Sequence, residues 1–189
     1  MRLIDIIIAL CWISFWVYWI IAAFSSKKDT TPSNMRVFVG SRIGLLVLAL
    51  LVATLFHQLP QTVTNHSLGT SRPVQLIGLI IFLIGFSLAI WARVHLGKYW
   101  GMPMTEKLKP KLVRSGPYRR IRHPIYSGML FMIIGSAIDV NAYWAIVFIV
   151  AAVYFTYSAV VEERNMRQQF PKDYQAYKRT TKMLLPYIF

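Results

Sequence analysis

The sequence predicts an all-α integral membrane protein of about five transmembrane helices, closing in a terminal helical hairpin and short cytoplasmic C-terminal helices. Three observations predict it. Apolar residues gather in runs at 3–24, 37–57, 74–95, 125–138 and 142–161, and about 20 helical residues suffice to cross a bilayer core. The chain is 56% hydrophobic yet carries a formal charge of +14, and the two properties are segregated along it. The cations also fall in alternate connectors: Lys27, Lys28 and Arg36 in the first, Lys98, Lys107, Lys109, Lys111, Arg114, Arg119, Arg120 and Arg122 in the third, and Arg164, Arg167, Lys172, Lys178, Arg179 and Lys182 in the tail. With five spans these regions share one side, while the other side receives only Arg2 and Arg72. The positive-inside rule then places the N-terminus outside and the C-terminus in the cytoplasm.

The same distribution argues for membrane lipids and against nucleic acid as the partner of the positive charge. The single cysteine, Cys11, excludes an intrachain disulfide, and no Cys/His group has zinc-site spacing, so no metal is expected. Neither a P-loop nor a dinucleotide-binding glycine pattern is present. The chain reads as one membrane-embedded domain over 1–189, with three N-terminal spans in 1–95 and a connector, hairpin and C-terminal helices in 96–189.

The first run is long, rich in Trp12, Phe15, Trp16, Tyr18 and Trp19, and lacks a small-residue cleavage site, so it is expected to be a retained anchor. Asp5 is placed near the outer headgroups, and the first two helices are expected to be structural. In the third, Gly78 and Gly85 stand on a bulky apolar background, the pattern of close helix packing in lipid. It ends in WARVHLGKYWG. There Arg93 is expected to snorkel, His95 to be an interfacial structural residue, and Trp91, Tyr99 and Trp100 to form an aromatic belt.

A polar connector at 101–111 leads to Leu112-Val113, expected as a short extended segment, and then to a turn at Ser115-Gly116-Pro117. Pro124 keeps His123 out of helical backbone and suits the first turn of the next helix. That holds His123 at a helix mouth, where free N–H groups and the dipole favour an anion. The fourth apolar run is short. Only Asp139-Val140-Asn141 separates it from the fifth, so the two read as a hairpin. The last long helix should continue past the membrane, with a Glu163–Arg167 ion pair one turn apart. Phe170-Pro171 should end it. Pro171 and Asp173 suit the start of a second, short helix that places Phe170, Tyr174 and Tyr177 on one face. Pro186 is expected to end the ordered part.

An antiparallel hairpin returns Arg122-His123-Pro124-x-Tyr126 and Glu162-Glu163 to the same membrane face. Together they offer a cation for a carboxylate, acids for hydroxyls or an ammonium, and an aromatic wall suited to a sulfonium. Such a pocket, between cytosol and lipid, can take a polar cofactor from one phase and a greasy acceptor from the other.

At these residues the sequence resembles the isoprenylcysteine carboxyl methyltransferase family and its phospholipid N-methyltransferase relatives. The resemblance rests on Leu96-Gly97-x-x-Trp100, on Leu112-Val113-x-x-Gly116-x-Tyr118-x-x-x-Arg122-His123-Pro124-x-Tyr126-x-Gly128, and on Glu162-Glu163 followed by Phe170, Tyr174, Tyr177 and Pro186. It implies S-adenosylmethionine in a cytoplasm-facing pocket roofed by the C-terminal helices, with a tunnel into the membrane for a lipid-like or isoprenylated acceptor. Carried over by position, Leu112, Val113, Gly116 and Tyr118 line the cofactor, and His123, Tyr126, Glu162 and Glu163 bind it. Arg122 orients the acceptor or the cofactor carboxylate and, with Glu163, is the catalytic assignment. Pro110, Gly101 and Pro171 depart from the family's histidine, serine and glycine at those points. The implied activity is carboxyl methylation of an isoprenylcysteine-type substrate, with amine and thiol acceptors also open. The alternatives are an NADPH-dependent membrane sterol or enone reductase and a non-enzymatic lipid-binding membrane protein.

Overall fold

The computed structural model describes residues 3–25, 71–100, 111–139 and 143–185. The run expected to span at 37–57, the connector containing Gly101 and Pro110, and Pro186 lie outside the described residues. Those described form five α-helices: α1 (Leu3–Ser25), α2 (Arg72–Leu96), α3 (Pro124–Asp139), α4 (Tyr143–Gln169) and α5 (Pro171–Thr180). Short 3-10 turns lie at Gly97–Tyr99 and Gly116–Arg119.

Local chemistry sets the helix ends. α2 starts with Ser71 in extended backbone and a proline in its first turn, and it stops at Gly97, whose φ of 50° breaks the helix while its N–H bonds to the Arg93 carbonyl. Pro124 opens α3, and the Phe170-Pro171 pair separates α4 from α5, as expected of a residue that blocks continuation from behind and suits a first turn.

α1, α2 and α4 are long and apolar enough to cross a membrane. They expose Leu10, Ile13, Ile77, Ile80, Ile149 and Val153, a surface matched to lipid in an integral membrane protein. α3 has 16 residues, about 24 Å at the helical rise, short of a hydrocarbon core of about 30 Å. Its lack of length is offset by its surroundings, because residues along its whole length, from Pro124 to Asp139, are buried in the protein.

Among the described residues the tightest interface is between α2 and α3. A methyl group on Gly85 would lie 2.5 Å from the Gly128 carbonyl oxygen, one on Gly128 would lie 2.6 Å from the Gly85 oxygen, and one on Gly135 would lie 2.6 Å from the Gly78 oxygen. The two helices therefore touch backbone to backbone at glycines seven residues apart on each. Gly78 and Gly85 are packing residues, as the sequence suggested, and Gly128 and Gly135 are their partners.

α1 joins this pair through aromatics. Trp12 donates to Ser136 Oγ at 3.1 Å and stacks on Trp144 with 5.3 Å between centroids, while Phe15, fully buried, packs with Phe82, Ala89 and Met132. At the far end Arg93 departs from expectation. It does not snorkel but is 4% exposed, donating to the carbonyls of Gly97 at 3.1 Å and Ala22 at 3.2 Å and lying 4.4 Å from the Trp100 ring centroid. The carbonyls at the ends of α1 and α2 thus compete with the headgroup region for the guanidinium.

The polypeptide after α5 folds back along the approach to α3. Arg122 and His123 donate their backbone N–H groups to the carbonyls of Lys182 and Met183, at 2.8 and 3.1 Å, and Lys182 donates to the Arg120 carbonyl at 3.2 Å. Ile121 and Lys182 make an isolated parallel bridge, and Ser127 Oγ donates to the Leu184 carbonyl. Leu112-Val113, expected as a short extended segment, lies in a stretch assigned to no helix or strand.

Candidate active site

The α3–α4 hairpin brings the start of α3 beside the end of α4, so residues 36 and 41 positions apart pair at one end of the two helices. Arg122 Nε donates to Glu163 Oε1 at 2.6 Å, and Lys178 Nζ, from α5, reaches Glu163 Oε2 at 2.8 Å. Glu163 is 1% exposed. Both of its oxygens are thus taken by cations, the condition under which a buried carboxylate keeps its charge. Arg122 is also committed elsewhere, donating through Nη1 to the Thr181 carbonyl at 2.5 Å. Arg167 does not form the expected ion pair; its Nε donates to the Glu163 backbone carbonyl at 3.3 Å, because the carboxylate turns inward to Arg122.

The neighbouring acid lives differently. The Glu162 side chain is 29% exposed, and one of its oxygens lies 3.4 Å from His123 Nδ1 while the other accepts from the Tyr126 hydroxyl. His123 sits between the two acids, with Nε2 3.8 Å from Glu163 Oε1. That Nε2 is buried without a hydrogen-bond partner among the described residues. The His123 ring stacks on Tyr126 at 5.5 Å, and Tyr126 stacks on Phe155 at 4.9 Å. Burial pulls the His123 pKa down, but the nearby Glu162 and Glu163 carboxylates outweigh it, so the pKa is raised.

The second wall comes from the turn before α3. Gly116 has a φ of 59°, a left-handed conformation that glycine adopts without strain, and a methyl group there would lie 2.8 Å from the His95 ring. His95 Nε2 is 2.8 Å from Ser115 Oγ, which ties this turn to the end of α2. Tyr118 is buried, donating to the Ala92 carbonyl at 3.4 Å and accepting on its own carbonyl from the Tyr177 hydroxyl at 2.6 Å. Burial holds the Tyr118, Tyr174 and Tyr177 phenols well above their usual range, so they stay neutral donors. Val113 packs against the cluster of Trp100, Tyr118, Tyr126 and Phe155, and Leu112 is half-buried.

The structure therefore gathers Arg122, His123, Tyr126, Glu162 and Glu163 through two hydrogen bonds and the contacts of the His123 ring with both acids; Val113 and Tyr118 share an apolar cluster with Tyr126, and Gly116 lies against His95. Sequence reasoning missed Lys178 and the backbone of residues 181–184. Lys178 had a signal: it follows Tyr177 and lies four residues after Tyr174, on the border of the face that buries. Among the described residues no group of three or more His, Cys, Asp or Glu side chains is arranged to hold a metal.

Residues 74–173 match the phospholipid methyltransferase family, and the chain belongs to that family. It is accordingly a membrane methyltransferase, an integral membrane enzyme that draws on a methyl donor. The probable protein-S-isoprenylcysteine O-methyltransferases of Oryza sativa subsp. indica and subsp. japonica are each 27% identical to it over 175 residues, covering 90% of this chain and 88% of the relative. Among solved structures it is similar to the eukaryotic intramembrane Ras methyltransferase isoprenylcysteine carboxyl methyltransferase, with a TM-score of 0.54 and 23% identity over 61% of this chain and 43% of that one. That last likeness is one of fold. These relationships do not favour the reductase or the non-enzymatic alternative.

Proposed function

We propose that the protein is an S-adenosylmethionine-dependent carboxyl methyltransferase for an isoprenylcysteine-type, lipid-like acceptor, working at the cytoplasmic interface of the membrane. It does so as one membrane-embedded domain, N-terminus outside and C-terminus in the cytoplasm. The observation that carries the reading is the Glu162–Tyr126–His123 group: a part-exposed carboxylate, stacked aromatic rings and an unsatisfied buried imidazole nitrogen at a helix mouth. S-adenosylmethionine supplies an electrophilic methyl on a sulfonium, together with an ammonium, a carboxylate and a nucleoside. Glu162 suits the ammonium or the ribose hydroxyls, His123 Nε2 is a free site for a polar partner, and the Tyr126 and Phe155 faces suit a cation. Leu112, Val113, Gly116 and Tyr118 form the wall against which the nucleoside lies.

Glu163 and Arg122 act in this reading as positioning residues. Glu163 fixes Arg122 and His123, and Arg122 carries that order to the carbonyl of Thr181. A carboxylate acceptor needs no general base, because its oxygen attacks as it stands: a C–O bond forms at the methyl, the C–S bond breaks, and the electron pair stays on sulfur. The protein then contributes mainly alignment, for which effective molarities of 10⁵ M or more, about 7 kcal/mol, are available. Equilibrium binding of S-adenosylmethionine, S-adenosylhomocysteine and NADPH to the detergent-purified protein tests the reading. Saturable binding of the first two, weakened in His123→Ala, is expected. Binding of NADPH alone, or of none of the three by folded protein, refutes it.

A further inference from the structure

One face of α4 is exposed along most of its length, and its chemistry changes partway. Ile149, Val153, Tyr157 and Val160 are exposed, and one and two turns further on so are Arg164 and Arg167. At about 100° per residue these six positions share an arc of about 80°, so the two arginines continue the apolar stripe rather than start a new face. α4 has 27 residues, about 40 Å at the helical rise, against a hydrocarbon core of about 30 Å. The helix therefore stands about 10 Å beyond the core, and its charged end is the end that projects. A stripe that is apolar where it crosses the core and basic where it emerges matches a phospholipid, with acyl chains below and phosphate above.

The same turn of α4 carries the candidate site on its other side. Glu162 lies about 160° round the helix from Arg164 and faces Tyr126 and His123. Arg167 donates through Nε to the backbone carbonyl of Glu163 at 3.3 Å, the residue whose carboxylate holds Arg122 and Lys178. With 21 Lys and Arg against seven Asp and Glu, the chain cannot neutralise its own cations.

We propose that Arg164 and Arg167 form a headgroup site for an anionic phospholipid of the surrounding leaflet, and that its occupancy steadies the turn bearing Glu162 and Glu163. Guanidinium groups bind phosphate oxygens through charge-assisted hydrogen bonds. A phosphate held by both arginines fixes the height and rotation of the end of α4, and with them the two acids that face α3 and α5. The lipid site stands apart from the methyltransferase reading; its effect on cofactor affinity rests on that reading.

The test uses the full-length protein. Lipid titration read by native mass spectrometry compares the first bound phosphatidylglycerol with the first bound phosphatidylcholine, and S-adenosylmethionine affinity is measured in nanodiscs of phosphatidylcholine with and without phosphatidylglycerol. Wild-type protein is expected to prefer phosphatidylglycerol by about 30-fold and to bind S-adenosylmethionine at least about fivefold more tightly when it is present. Arg164→Gln/Arg167→Gln should bring the lipid preference to within about threefold and abolish the lipid dependence of S-adenosylmethionine binding. Arg164→Lys/Arg167→Lys should keep most of both, because a point charge also binds phosphate. Lys172→Gln/Arg179→Gln removes the same charge from the exposed face of α5, turned away from its buried Tyr174 and Tyr177, and should change neither.

An equal loss in the α5 variant would reduce the effect to the protein's overall charge and overturn the site. So would inorganic phosphate that displaces the lipid and reproduces the tighter binding in phosphatidylcholine alone, the mark of a free-anion site. If the stripe seats a second copy of the chain, Arg164→Gln/Arg167→Gln changes the number of protomers in the mass spectrum and leaves the lipid preference intact, which also refutes the proposal. A lipid preference with no change in S-adenosylmethionine affinity overturns the coupling. Absence of S-adenosylmethionine binding in either membrane overturns the methyltransferase reading and leaves the headgroup result standing.

Discussion

Replacing Glu163 by Gln exchanges one carboxylate oxygen for an amide nitrogen at nearly constant volume, so it removes the charge and one acceptor. In the folded protein that carboxylate sits 2.6 Å from Arg122 Nε and 2.8 Å from Lys178 Nζ, with the side chains 1%, 6% and 42% exposed in that order. Lys178 can turn to water, so its share is small. Arg122 cannot, and breaking a buried pair from one side costs about 3 to 5 kcal/mol because the other charge is left uncompensated. With about 2 to 4 °C of melting temperature per kcal/mol for a domain of this size, Glu163→Gln should melt about 6 °C lower or more.

The assay is thermal unfolding in detergent, with a thiol-reactive fluorophore reporting exposure of Cys11, the one cysteine in the chain. Glu162→Gln is the control, one residue away on the same helix and 29% exposed. It should shift the melting temperature by no more than about 2 °C, as expected of a surface-facing change, while weakening S-adenosylmethionine binding about tenfold. Equal melting temperatures for the two variants would refute the division of labour between the acids. So would a Glu163→Gln protein as stable as wild type.

The remaining predictions concern packing, pH and the C-terminal helix. Gly128→Ala puts a methyl group 2.6 Å from a backbone oxygen that cannot move aside, so it should destabilise by about 2 kcal/mol or more in the same melting assay, and Gly85→Ala likewise. Tyr177→Phe removes a buried donor to the Tyr118 carbonyl, at a cost of about 1 to 3 kcal/mol, and should speed proteolysis within 171–185 relative to wild type. His123 has a folded-state pKa raised above its usual 6.5. Its stabilising contribution is therefore complete below that value and is lost as pH climbs through the raised pKa. The melting temperature of wild type minus that of His123→Asn should fall as pH rises past neutrality; a difference that is flat or grows with pH contradicts the assignment.

What could be read in advance followed local rules. Pro124 opening α3 and Phe170-Pro171 dividing α4 from α5 are statements about φ and a missing N–H, and these are legible residue by residue. The convergence of Arg122, His123 and Tyr126 with Glu162 and Glu163 was legible too, because a hairpin of consecutive apolar runs must return its ends to one face. The second run at 37–57 lies outside the described residues, so the count of five spans rests on the sequence. Less legible were contacts between segments whose approach no local pattern encodes. Lys178 reaches Glu163 only because Tyr174 and Tyr177 bury one face of α5. Arg167 was paired with Glu163 by helical spacing, and lost the carboxylate to Arg122 from another helix. Arg93 was read as snorkelling because the sequence does not reveal that two helix ends present carbonyls to it.

The two acids at the end of α4 show why adjacency in sequence need not mean redundancy. Neighbouring residues on an α-helix point about 100° apart, so a helix lying at a boundary can send one carboxylate into the protein and the next into a cleft. Glu163 takes the inward direction, where Arg122 and Lys178 hold it, and Lys178 brings α5 with it. Glu162 takes the outward direction, to Tyr126 and the more open side of His123. His123 faces both. A ligand on the Glu162 side would therefore act, through one imidazole, on the ion pairs that tie α5 to the start of α3. Binding there should tighten the C-terminal segment, and loosening that segment should weaken binding in equal measure, since coupling between two sites is reciprocal. The Glu163→Gln protein offers the direct check. It should lose affinity for S-adenosylmethionine although its Glu162 side is intact, and saturating ligand should recover part of the lost melting temperature by mass action.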